Sequence, residues 1–131
     1  MFTIDHLGIA VKSLSQATQF YRSMGLEVEG EELVAAEKVR LAMVPLGESR
    51  IELLEPTSED SPIAKFLVKR GEGLHHVALH VSDLKHVVGQ MKEAGARFIS
   101  DEIKTGAGGH AYIFVHPSSA GGVLLELCEK Q

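Results

Sequence analysis

At 131 residues and 44% hydrophobic content, the chain has apolar material for one ordinary core and too little for two large independent domains. A formal net charge of −5 with no basic run argues against nucleic acid as the main partner. The single cysteine, Cys128, excludes an internal disulfide framework and suits a reducing compartment. A first strand starting at residue 2 or 3 leaves no room for a signal peptide, and no apolar run reaches membrane-spanning length, so a cytoplasmic protein is expected.

Thr3–Val11 alternates as a strand does, with Ile4, His6, Gly8 and Ala10 on one face and Leu7, Ile9 and Val11 on the other. Ser13 or Ser15 can cap a following helix whose Leu14, Ala17, Phe20, Tyr21 and Met24 fall at helical spacing, with Gly25 as its left-handed stop. Leu26–Ala36, Val39–Leu46 and Arg50–Glu55 then read as strands, the last two joined by a Gly47–Ser49 turn. Pro56–Gly73 is a linker in which Ser61, Pro62 and the Ile63, Phe66, Leu67 spacing predict a short helix. The order then repeats. Leu74–Val81 is a strand, Asp83 caps a helix with Leu84, Val87, Val88 and Met91 as its stripe, and Gly95 ends it. Three more strands are expected near Ala96–Ile103, His110–Val115 and Val123–Cys128.

The chain therefore reads as two β-α-β-β-β modules, 1–55 and 74–131, in a single domain spanning residues 1–131. About 70 residues separate matching landmarks: His6 falls on His76, Val11 on Val81, Leu14 on Leu84 and Gly25 on Gly95. Each module also ends in a strand carrying an acid, Glu52 in I-E-L-L-E and Glu126 in L-E-L-C-E. His6 shares its face with Gly8 and Ala10, and His76 shares its face with Ala78; small neighbours leave room for something else. An unpaired carboxylate at Glu126, in so apolar a strand, would be costly, and a cation would relieve that cost. Arg50 and Leu54 share the face of Glu52, so a pairing with Arg50 is the alternative there. The glycines at 106, 108 and 109 form a loop without the strand–loop–helix setting of a phosphate-binding P-loop.

Two imidazoles and two carboxylates, His6, Glu52, His76 and Glu126, make a borderline-hard donor set. It suits one divalent ion, Co²⁺ first and otherwise Mn²⁺, Ni²⁺, Fe²⁺ or Zn²⁺, with open positions for a substrate bearing two oxygens.

At this point the chain resembles the vicinal oxygen chelate (glyoxalase/bleomycin resistance) superfamily over essentially its whole length. Within it, I-D-H-L-G-I-A-V, the D-S-P-I-A-K-F-L linker, G-E-G-L-H-H-V-A-L, K-T-G-A-G-G-H-A-Y-I-F-V-H-P at Lys104–Pro117 and G-G-V-L-L-E-L are similar to the methylmalonyl-CoA epimerase family. The resemblance implies an α+β fold in which the two modules form an open eight-stranded mixed barrel around a metal site. It places the metal ligands on His6, His76 and Glu126, with Glu52 at a fourth position that is often glutamine in epimerases and is glutamate in bacterial glyoxalase I. Some epimerases carry a second catalytic glutamate on the third strand, where Arg40–Met43 has no acid.

The implied reaction is inversion at C2 of methylmalonyl-CoA through a metal-stabilised enolate, with Glu126 and Glu52 as the proton relays. Lys104, Gly106, Gly108 and Gly109, with Lys65 and Lys69, would hold the CoA phosphates, and a homodimer is expected. The alternatives are a glyoxalase I acting on a hemithioacetal, a ferrous dioxygenase, and a non-catalytic ligand-binding protein of the bleomycin-resistance type.

Overall fold

The structure is a computed structural model that describes residues 2–106 and 109–130. Its elements in chain order are β1 (Thr3–Ala10), α1 (Leu14–Ser23), β2 (Glu32–Val34), β3 (Val39–Leu46), β4 (Ser49–Pro56), α2 (Pro62–Arg70), β5 (Gly73–His80), α3 (Leu84–Glu93), β6 (Lys104–Thr105), β7 (Ala111–Val115) and β8 (Leu125–Glu129). The β-α-β-β-β order thus occurs twice, with α2 as the linker helix. The described residues fall into two compact units, His6–His75 and a second containing the segment up to Asp5 together with His76 onward.

In the first unit the strands lie in the order β2-β3-β4-β1. β1 and β4 run parallel with Gly8 across from Glu52, and β3 and β4 run antiparallel with Met43 across from Glu52. One face of this sheet is covered by α1. Leu14 packs there with Val11, Ala42, Val44 and Leu53, flanked by Ala17 and Tyr21. The Ser13 side chain accepts a hydrogen bond from the Gln16 amide and opens the helix. Gly25 takes φ +89° just beyond it, a conformation that a side chain would strain.

The second unit repeats these devices in the order β5-β8-β7-β6. Ala78 lies across from Glu126 in the parallel β5–β8 pair, and Phe114 lies across from Glu126 in the antiparallel β7–β8 pair. Here α3 covers the sheet, with Leu84 and Val88 packed on Val81, Ile113, Val115 and Leu127. Asp83 accepts from the His86 amide at its start, and Gly95 has φ +89° at its end. The Glu129 carboxylate also accepts from the Leu84 amide at 2.7 Å, which ties the end of β8 to the first turn of α3.

Two expected strands are much shorter than the alternation suggested. Of Leu26–Ala36 only Glu32–Val34 pairs regularly, and Ala35–Glu37 is a 3₁₀ turn. Of Ala96–Ile103 only Phe98 makes a bridge, to Val115, and the regular pairing shifts to Lys104–Thr105. Isolated hydrogen bonds hold each stretch against its sheet: the Glu29 amide donates to the Met43 carbonyl (2.8 Å), the Ile99 amide to the Phe114 carbonyl (2.9 Å) and the His116 amide to the Arg97 carbonyl (2.9 Å). Leu26 and Val28 pack against the core beneath α1, while Glu27, Glu29, Glu31 and Glu32 stay exposed around Gly30, and exposed charge at the sheet edge keeps the ladder short.

The linker helix begins as its sequence predicts. Ser61 accepts from the Ile63 amide and Pro62 takes the first turn. Ile63 packs with Ala10, Val39 and Leu54, which lie on the face of the first sheet away from α1. Before it, the Lys38 ammonium hydrogen-bonds Asp60. That contact, with a second hydrogen bond from Ser58, holds the Asp60 carboxyl at about 2, below its ordinary 3.8.

These contacts set two expectations. Leu14→Ala and Leu84→Ala remove side chains 1% and 2% exposed, and each should cost about 2–4 kcal/mol in urea unfolding; a loss below about 1 kcal/mol would contradict the packing described. Because the Asp60 pKa is depressed, its small contribution is present above pH 3.8 and lost as pH falls through about 2. Lys38→Ala should therefore raise the Asp60 titration midpoint toward 3.8, read by NMR.

Candidate functional site

Each module places its histidine beside its own terminal-strand glutamate. Strand alternation is the cause. In the first unit Ile9, Val11, Ile51 and Leu53 turn toward α1, so His6, Gly8 and Glu52 must occupy the opposite face. Gly8 contributes no side chain across from Glu52, which leaves the carboxylate room to reach along the strand. The His6 Nε2 atom lies 3.7 Å from Glu52 Oε1, with the two side chains 8% and 12% exposed.

The second unit reproduces the arrangement. Leu79, Val81, Leu125 and Leu127 face α3, and His76, Ala78 and Glu126 occupy the other side. His76 Nε2 lies 3.5 Å from Glu126 Oε1, again with both side chains largely buried, at 5% and 13%. Both separations exceed the ~2.7–2.9 Å of a charge-assisted hydrogen bond. They are close to the ~2.8–3.6 Å that separates two donors bound at ~2.0–2.2 Å to one ion with octahedral or tetrahedral angles. The donor types fit a divalent metal: imidazole nitrogen and carboxylate oxygen, nearly dry, with no thiolate among the four.

The other singled-out residues differ in character. Lys104 is exposed in β6. Gly106 and Gly109 are part of the loop after it, and Gly108 lies outside the described residues. The loop uses its own amides: Gly106 donates to the His110 carbonyl at 2.7 Å, and Gly109 donates to the Gly106 carbonyl at 3.1 Å. His75 stacks edge-on against Phe66 of α2, centroids 5.0 Å apart, and burial pushes its pKa down. His116 accepts from the Ser118 amide through Nδ1 and caps a 3₁₀ turn. Sequence reading missed the aromatic side chains beside His76. Phe114 packs edge to face on the imidazole at 5.8 Å and Tyr112 on Phe114 at 6.0 Å. The alternation A-Y-I-F-V was the available signal, since Ile113 and Val115 belong to the core face and Tyr112 and Phe114 therefore do not.

Two β-α-β-β-β modules, each with a buried histidine–glutamate pair, define the class of fold. The profile of the Glyoxalase/Bleomycin resistance protein/Dioxygenase superfamily matches residues 5–114. The mitochondrial methylmalonyl-CoA epimerase of Bos taurus is 43% identical over 95% of this chain and 72% of its own length. The crystal structure of the Mycobacterium tuberculosis methylmalonyl-CoA epimerase matches with a TM-score of 0.90 and 36% identity, covering 98% of this chain and 87% of that one. A Streptomyces coelicolor methylmalonyl-CoA epimerase variant, solved in complex with 2-nitronate-propionyl-CoA, matches with a TM-score of 0.89 and 40% identity over 97% and 93% of the two chains. The chain belongs to this superfamily and, within it, to the methylmalonyl-CoA epimerase family. Among the described residues, no helix is long and apolar enough to cross a membrane.

Proposed function

We propose that this protein is a metal-dependent methylmalonyl-CoA epimerase that inverts the C2 stereocentre of its substrate. One observation carries the reading. Two buried histidine–glutamate pairs stand at repeat-matched positions, in a chain whose relatives of about 40% identity are epimerases of this substrate.

His6, His76 and Glu126 each offer one ligand atom to a metal ion, and Glu52 offers the fourth. A divalent ion held there, Co²⁺ before Mn²⁺, Ni²⁺ or Zn²⁺, supplies positive charge that lowers the energy of the enolate, plausibly by several kcal/mol.

The residues of the chain move the proton. C2 lies between a thioester and a carboxylate, so the electron pair left by its proton delocalises onto oxygen. Epimerisation needs one base on each side of C2, because the proton leaves one face and another arrives on the opposite face. Glu126 takes the proton, and Glu52 delivers one to the other side; the reverse reaction exchanges their roles, and nothing is consumed. β3 brings no acid to this task, since Val39–Leu46 contains none and Met43 lies across from Glu52. Burial of both carboxylates removes competing water from the exchange. The Lys104 ammonium serves as the cation for the CoA phosphates. The turn built on Gly106 and Gly109 shapes that perch, Gly108 is a further candidate for it from the sequence, and Lys65 and Lys69 add positive charge. A cytoplasmic homodimer is the setting that the family resemblance supports.

Glyoxalase I chemistry remains the second reading because Glu52 suits it. The two are separated by substrate: the protein should act on methylmalonyl-CoA and leave the methylglyoxal–glutathione hemithioacetal unchanged. In heavy water, protein loaded with Co²⁺ or Mn²⁺ should exchange the C2 proton of methylmalonyl-CoA for deuterium, and chelation should abolish the exchange. Folded, metal-supplemented protein that exchanges nothing would sink the proposal. His76→Ala should lose stoichiometric metal by elemental analysis, whereas Glu126→Gln should slow exchange by about 10²–10⁴-fold.

A further inference from the structure

We infer that Phe114 and Tyr112 are positioning residues for His76, forming a ring stack that runs from the glycine-rich loop to the imidazole. The inference rests on the metal-binding reading above. Phe114 meets His76 at a centroid distance of 5.8 Å and an interplanar angle of 89°. Tyr112 meets Phe114 at 6.0 Å and 80°. Both are edge-to-face contacts, the arrangement that ring quadrupoles favour and that depends on orientation, unlike aliphatic packing. Phe114 also lies across from Glu126 on β8, so one ring is set beside both members of the pair.

The far end of the stack is equally defined. A Cβ at Gly106 would stand 3.0 Å from Tyr112 Cε1 and 3.3 Å from Cδ1. That backbone is therefore seated directly against the tyrosine ring, and the Gly106 amide donates to the His110 carbonyl at 2.7 Å. A side chain at residue 106 would press on the ring and require Tyr112 to shift by a few tenths of an ångström.

On β3, Met43 occupies the place across from Glu52 that Phe114 occupies across from Glu126. A thioether on rotatable bonds fills space without fixing an imidazole plane. Orientation of a ligand imidazole by its surroundings is a recognised determinant of metal affinity.

Calorimetric titration of Co²⁺ into metal-depleted protein tests this, with thermal unfolding run on each variant. Phe114→Leu keeps apolar volume and removes the ring; it should weaken Co²⁺ binding by about three- to tenfold. Phe114→Tyr should return affinity to within about twofold of wild type, a rescue that a merely space-filling role would not require. Met43→Leu should change affinity by less than about twofold, and Gly106→Ala should weaken it by displacing Tyr112. Unchanged affinity in a folded Phe114→Leu protein overturns the inference. If the wild type itself binds no divalent ion, the proposed function fails instead. The ring stack is then judged on the metal-free protein, where Tyr112→Leu should shift the His76 imidazole NMR resonances, and unshifted resonances would overturn it.

Discussion

Two strand registers decide what this molecule can do. β4 pairs with β1 so that Glu52 meets Gly8, and β8 pairs with β5 so that Glu126 meets Ala78. Because side chains alternate along a strand, these registers also decide which residues meet the helices. A slip of one residue would send Leu53 and Leu127, 0% and 2% exposed in the present packing, to the histidine face and both glutamates into the cores. The core therefore enforces the site: the same alternation that packs Leu14 and Leu84 drives the acids and histidines onto the opposite faces. Small residues opposite each glutamate complete the constraint, since a larger side chain at residue 8 or 78 would take the space into which the carboxylate reaches.

That arrangement has a cost, and the cost points to function. Carboxylates 12% and 13% exposed have given up most of their hydration, which is unfavourable unless charge or hydrogen bonds compensate. Their histidine partners stand at 3.7 and 3.5 Å, and imidazole and carboxylate are donor types that a divalent cation takes. In the proposed epimerisation the repeat would have a chemical use, since one base is needed on each side of C2 and the two modules offer Glu52 and Glu126.

Much of this was legible in the residues. The 70-residue spacing of His6 and His76, the caps at Ser13, Asp83 and Ser61, and the glycine stops at Gly25 and Gly95 all follow from local rules that single residues satisfy. The edge segments were less legible. Leu26–Ala36 and Ala96–Ile103 are rich enough in strand formers to suggest full strands, yet edge pairing is limited by exposed charge rather than by propensity. The ring stack could not be seen either. Tyr112 and Phe114 share a face by alternation, but their contact with His76 needs β7 beside β8 beside β5, and strand order is not written locally. Gly106 read in the sequence as part of a glycine-rich loop; in the fold it is a place where backbone meets a ring.

The proposal most in need of a direct test is that His6, Glu52, His76 and Glu126 hold one divalent ion. X-ray absorption on the Co²⁺-loaded protein reads its ligands directly. The account predicts a single site of nitrogen and oxygen donors near 2.1 Å with the multiple scattering of two imidazoles. Sulfur scattering from Cys128, or a spectrum without imidazole, would contradict it.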